Sequence, residues 1–441
     1  MASRYWRGGT GTWSTATTNW ASTSAAATFT ASRALTTLTV TAVASGTLAV
    51  GQTVWHTTNT AIGTILSQLT STEPLGALGL RGTYQISASG TLSSRTMSSA
   101  TVGASAPTSS DDVIFDSNSN VGTATFTVTE SDAVNCRNLT ISGLDAVMTF
   151  AGSGSLAVAG SLAFPASNLT NSYTGSISFN AASSATITTN GVALASNLFV
   201  QAAGPFTLGS ALSTTGNLII SSGVTFNSAN YSIASATPNF DVAATVSLGT
   251  SAYTPSLPNL ATASLGTATG GNFTFNLNTA STTNYILGRG ASISSIVIAG
   301  SGLGTTVAFT GSTPGSNYTN NWGAVSSTKT VAHTIRFQEA DFYSNGGPPF
   351  TQHNFTNFNL SGTSGNQLTL TYYTDAGGSG AAANLVQTSG TVSVSYDTIS
   401  NLTASGGASW RAYTSNGNVD GGSNTGWLFA PPATGNMFLM F

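Results

Sequence analysis

The stretch NLTISGLDAVMTFAGSGSLAVAGSLAF (138–164), continued by SISFNAASSATITTNG (176–191) and NLFVQAAGPFTLGSALSTTGNLIISSGVTFNSANYSI (197–233), decides the fold. Short apolar alternations at 139–141, 156–158, 177–179 and 218–220, and again at 296–298, are separated by Gly, Asn, Ser and Thr. Period-two spacing bounded by turn formers marks half-buried β-strands. Nowhere does an i, i+3, i+4 spacing persist long enough for a helix. Strands this short and this evenly punctuated predict stacked coils, a β-solenoid, with a string of β-sandwiches as the alternative.

Charge sharpens the choice. Between Asp145 and Lys329 only Asp241 and Arg289 are charged, whereas about a quarter of a globular domain is usually charged. Such a surface is hydrated by hydroxyls, amides and backbone. Coils with outward Ser, Thr and Asn and inward Leu, Ile, Val and Phe satisfy that demand. A disordered Ser/Thr/Gly tract would be poor in β-branched and aromatic residues, and this one carries them at regular intervals.

Over its 441 residues the chain is 5% charged and 40% hydrophobic, with 49 glycines and a net charge of −3. Ten basic residues give no electrostatic footprint for nucleic acid. No long apolar run or basic amphipathic stretch predicts membrane insertion. The start, MASRYWRGG, lacks the apolar core of a secretory signal, so synthesis in the cytosol is expected. The single cysteine, Cys136, excludes an internal disulfide framework and a cysteine-based zinc site.

Working outward from the central tract, 138–328, five segments are expected. Residues 1–30, resuming at 100–137, form an N-terminal cap in which Trp6, Trp13 and Trp20 recur every seven residues. Gly8, Gly9 and Gly11 argue against a helix there. The three indoles are expected to cap the first coil or to pack at a subunit interface, with sugar stacking as the alternative. Residues 31–99, with strands near 38–43, 52–56, 62–69 and 82–88, read as an inserted small β-barrel or sandwich. Residues 329–430 form a C-terminal β region whose Trp410 and Trp427, with Tyr413 and Phe429, cover the last coil. The tail at 431–441 ends in Met437, Phe438, Leu439, Met440 and Phe441, an apolar run expected to contact a partner.

The order of motifs carries a resemblance. YWxGGxGxW with NW (5–20), then PTSSDDVIFDSNS (107–119), CxNLTxSG (136–143) and TLGSALSTTGNLIISSG (207–223) resemble a module common in bacteriophage virion proteins, where it opens a β-solenoid. The SGTLAVGQ and GTYQIS pieces of the insertion (45–52 and 82–87) look like a small β module of phage tail and fibre proteins. The C-terminal strand–Gly-turn–strand units resemble closing coils. The resemblance implies a virion structural protein without a cofactor, a homotrimer that contacts other virion proteins and a host-surface glycan. A capsid decoration protein, a glycan-degrading tailspike and a bacterial surface adhesin are the other readings.

Chemistry is sparse. Glycoside hydrolysis needs two carboxylates about 5–10 Å apart, and the central tract offers Asp145 and Asp241 without acidic neighbours. Asp111, Asp112 and Asp116 sit in a Pro-Thr-Ser-Ser turn, where Asp bonds its own backbone, with calcium as the alternative. Glu339 and Asp341 flank a strand end beside Arg336 and read as an ion pair. His56, His333 and His353 lack metal-ligand spacing. No GxSxG elbow or phosphate loop is present. The expectation is therefore an all-β, non-enzymatic protein with no catalytic, cofactor or metal site.

Overall fold

The computed structural model describes residues 2–14, 17–24, 26–57, 60–73, 79–121, 125–257, 262–310, 319–338, 352–373 and 383–431. Among them the chain is all-β, without an α-helix, and most strands lie parallel in long sheets, an arrangement compatible with a β-solenoid. It divides into two compact units, Met1–Thr215 and Gly216–Phe441.

In the first unit the strands Val134–Cys136, Leu156–Val158, Ile177–Phe179 and Leu198–Val200 form a parallel ladder. Val134 faces Leu156, Leu156 faces Ile177 and Ile177 faces Leu198, so the steps of the ladder take 22, 21 and 21 residues. Each strand buries its first and third residues and turns the middle one outward. In-register pairing stacks these residues into two apolar columns, Val134–Leu156–Ile177–Leu198 and Cys136–Val158–Phe179–Val200. A one-residue slip would replace both columns by Asn135, Ala157, Ser178 and Phe199, a mixed set with two polar members, so the apolar columns favour the observed register.

Two further parallel ladders run through the same turns of chain. One holds Ser3–Trp6, Asp112–Phe115, Leu139–Ile141, Leu162–Ala163, Ala185–Thr188 and Pro205–Leu208. The other holds Gly11–Thr12, Phe126–Glu130, Met148–Gly152 and Leu169–Tyr173. The parallel rungs therefore begin before residue 138, inside the segment expected to be a separate cap. Trp20–Ala21 pairs antiparallel with Ser3–Trp6 at the sheet edge.

The insertion comprises Ala26–Ser45, Thr53–His56, Thr60–Ser71 and Gly82–Ala100, an antiparallel sheet with its own apolar core that includes Phe29, Leu38, Val54, Ile65, Tyr84 and Met97. Its outer strands are longer than expected, with Ala26 pairing Ala100. The Ser and Thr residues between the apolar positions make those ends read as linker in one dimension. Thr41 Oγ1 donates to the carbonyl of Thr30 across the bend of the first strand, at 3.2 Å. Gly82–Ala100 pairs with each of the other three strands and Thr53–His56 also pairs with Thr60–Ser71, but no closed barrel is formed among the described residues, which corrects the barrel half of the barrel-or-sandwich expectation.

In the second unit one parallel ladder carries Leu218–Ile220, Pro238–Phe240, Thr262–Ser264, Thr283–Leu287, Thr306–Thr310, His333–Gln338, Leu368–Tyr373, Asp397–Ser400 and Val419–Asp420. Another carries Thr225–Asn227, Thr245–Pro255, Thr269–Asn276, Ser295–Ala299, Ala324–Ser327 and Asn357–Asn359. Thr306–Thr310 pairs in parallel with His333–Gln338, so the ladder crosses the boundary expected at 329 without a break. The richer charge and aromatic content beyond 329 changes what decorates the strands. It leaves their stacking unchanged.

Candidate functional site

The N-terminal segment builds an aromatic cluster. Antiparallel pairing puts Trp6 opposite Trp20, with ring centroids 4.9 Å apart and planes at 84°. Trp13 meets Trp20 edge-on at 5.4 Å, and Phe115 lies within 6.0 Å of all three rings. The Trp6 indole donates to the Gly9 carbonyl and that of Trp20 to the Trp13 carbonyl at 3.0 Å. All three tryptophans are 0% exposed. No ring face is open to a sugar, and the rings fill the interior beside the edge strand. Between Trp6 and Trp13 the chain turns at Gly8 and Gly9, both at positive φ.

Charged groups tie this cluster to the chain that resumes after the insertion. Arg7, 1% exposed, donates to the carbonyls of Trp6 and Ser24 and to both carboxylate oxygens of Asp116, at 2.8 and 3.3 Å. Burial lowers the Arg7 pKa, and the Asp116 charge opposes that shift. Asp112 forms a two-pronged ion pair with Arg137 and accepts from Asn138 Nδ2 at 2.7 Å. Asp111 accepts from the Thr108 backbone N–H and hydroxyl at 3.0 and 2.8 Å, the turn expected of it. The three carboxylates are thus engaged with different partners, and the described residues contain no group of three His, Cys, Asp or Glu placed to hold a metal. Trp55 of the insertion packs against Gly8, where a Cβ would overlap the indole.

In the second unit, Trp410 pairs in register with Trp427, their centroids 5.1 Å apart, and Phe358 packs against both. They are 2% and 8% exposed. The contact tail Met437, Phe438, Leu439, Met440 and Phe441 lies outside the described residues, as do Glu339 and Asp341. The histidines are not brought together. His353 is buried with Nδ1 accepting from the Trp322 indole at 2.9 Å, and His333 lies 2.9 Å from the Ser327 hydroxyl. Cys136 is buried, and burial raises its thiol pKa, which suppresses the reactive thiolate.

Some polar groups were not legible in the sequence. Lys329 is buried and donates Nζ to three backbone carbonyls. Asp397 and Glu130 are buried acids whose pKa values burial raises. A one-dimensional pattern shows a lone charge but not which carbonyls surround it. An open hollow of about 310 Å³ is lined by Ala166, Leu169, Asn171, Asn190, Val192 and Ala193, none of them titratable. Among the described residues no helix is long and apolar enough to cross a membrane. Comparison of the chain with protein-family models, curated proteins and solved structures found no match.

Proposed function

We propose that the chain is a non-enzymatic structural component of a bacteriophage particle, a tail fibre or tail-associated adhesive protein. Its parallel ladders would be the coils of a β-solenoid, with the curled sheet inserted near the N-terminus and the Trp410–Trp427 region closing the C-terminal coils. The observation that carries this reading is the in-register parallel stacking of short strands whose first and third residues form inward apolar columns. A stack of that kind is a rigid rod, protected from proteases because its backbone is paired on both sides of each strand. The order of sequence motifs supports the assignment to a virion. A homotrimer, contacts with other virion proteins and attachment to a host-surface glycan follow from the same reading.

The test is the mass of the purified full-length protein in solution, with small-angle scattering on the same sample. An elongated trimer is the expected result. A compact monomer would overturn the fibre and favour a decoration protein of the capsid. Removal of residues 437–441 is expected to weaken trimer formation while leaving the β signal in circular dichroism intact. Reducing-end release from host polysaccharide would overturn the non-enzymatic assignment in favour of a glycan-degrading spike.

A further inference from the structure

Basic residues are scarce, ten in 441, yet the insertion gathers three cationic or protonatable side chains in one place. Arg33 lies two positions beyond Ala31, Arg95 two before Met97 and His56 two beyond Val54, and all three reference residues belong to the insertion's apolar core. Arg95 lies opposite the core residue Ala31 and His56 opposite the core residue Met97, and a register shift between Ala31 and Arg33 breaks the ladder beside them, where Arg33 Nη1 reaches the Ile62 carbonyl. The three side chains therefore collect where the apolar core of the curled sheet ends. An apolar floor with a few converging polar groups at its edge is a recurrent ligand position.

The two guanidiniums are held without being neutralised. Arg33 Nη1 donates to the Ile62 carbonyl at 2.8 Å, and the guanidinium lies over Gly90, where a Cβ would overlap it. Its Nε is buried with no hydrogen-bond partner among the described residues. Arg95 bonds the Ser93 carbonyl at 3.2 Å and hydroxyl at 2.9 Å. Among the described residues neither arginine is paired with a carboxylate, whereas Arg4, Arg7, Arg81 and Arg137 all are. Both lie close enough to His56 for their charges to lower its pKa, after the larger effect of burial. Positive groups placed together and fixed by backbone carbonyls have an unmet demand for negative charge, and the planar guanidinium fork matches an oxyanion.

We propose that Arg33, His56 and Arg95 form a binding site for an oxyanion, a carboxylate or a phosphate group. The anion would sit between the guanidiniums, with the His56 imidazole beside them. This inference is independent of the particle assignment, because it concerns a site on the isolated chain.

The experiment uses the full-length protein with its histidines labelled at the ring carbon and the His56 signal identified from His56→Gln. Inorganic phosphate, glucuronate and neutral glucose are titrated separately at constant ionic strength in chloride. Saturable movement of the His56 signal with phosphate or glucuronate, and none with glucose, is expected. The arm that saturates at lower concentration tells a phosphate from a carboxylate ligand. Arg95→Ala, at a side chain outside the core, is expected to weaken binding about tenfold or more, as loss of a charge-assisted hydrogen bond does. No movement beyond the chloride control, or unchanged affinity in Arg95→Ala, would overturn the proposal.

Discussion

Arg7 Nη1 stands 2.8 Å from Asp116 Oδ1, joining residues 109 positions apart on the two sides of the insertion. The guanidinium is 1% exposed and the carboxylate 23%, so the arginine is the partner that cannot recover water. Asp116→Ala leaves that buried charge uncompensated. A loss of about 3 kcal/mol is expected, the lower end for breaking a buried pair because Asp116 is partly solvated. Chemical unfolding followed by tryptophan fluorescence checks it, since Arg7 bonds the carbonyl of Trp6, one of three clustered buried tryptophans.

Glycines differ in what they do for the stack. At Gly152, with φ of +118°, a Cβ would overlap the Glu130 carbonyl of the preceding turn, while at Gly191, φ +86°, it would meet nothing within 4 Å. Gly191→Ala is expected to cost about 1 kcal/mol, the conformational term alone. Gly152→Ala is expected to cost well above that, because backbone must separate to admit the methyl. Equal unfolding midpoints for the two variants would refute the close-approach argument.

Lys329 Nζ donates to the carbonyls of Leu277, Gly300 and Gly302 at 3.1, 3.2 and 3.0 Å, binding residues far apart in sequence with one ammonium. Lys329→Met keeps the length and removes the donors. Three carbonyls then lose a charged partner, and a loss of about 3 kcal/mol is expected. Urea unfolding of the full chain measures it.

Asp397 is buried, with Oδ1 accepting from the Gly362 N–H at 2.8 Å and Oδ2 without a partner among the described residues. Burial pushes its pKa up to about 8, against the opposing pull of the Gly362 hydrogen bond. An unfolded Asp titrates near about 3.9, so between that value and about 8 the folded state holds a proton the unfolded state has released. Stability must therefore fall as pH rises through this window. Asp397→Asn is expected to flatten that slope and to gain about 1 kcal/mol or more at pH ~8. Thermal unfolding of both proteins from pH 5 to 8.5 decides it.

The β class and the inward faces were legible because alternation is a local property. Leu156, Val158, Ile177 and Phe179 announce their burial through their spacing, and turn formers bound each strand. The N-terminal cap and the C-terminal region looked separate because their composition differs from the charge-poor tract. The ladders nevertheless run through residues 112–115 and 333–338, since backbone pairing is indifferent to the side chains it carries outward. The full length of the insertion's first and last strands is not legible in the sequence because Ser and Thr suit both linkers and solvent-facing strand positions.

The sequence by itself determined that this chain is β, that Leu, Ile, Val and Phe at alternate positions form its interior, and that hydroxyls and amides hydrate its surface. Each of those follows from a residue and its near neighbours. Tertiary structure alone decided that Trp6, Trp13 and Trp20 close on Phe115, that Arg7 finds Asp116, that Lys329 meets three carbonyls and that Arg33 reaches the Ile62 carbonyl. Those partners are brought together by the stacking of successive turns and the curling of the inserted sheet. Long-range registers of that kind set distances that no local spacing encodes.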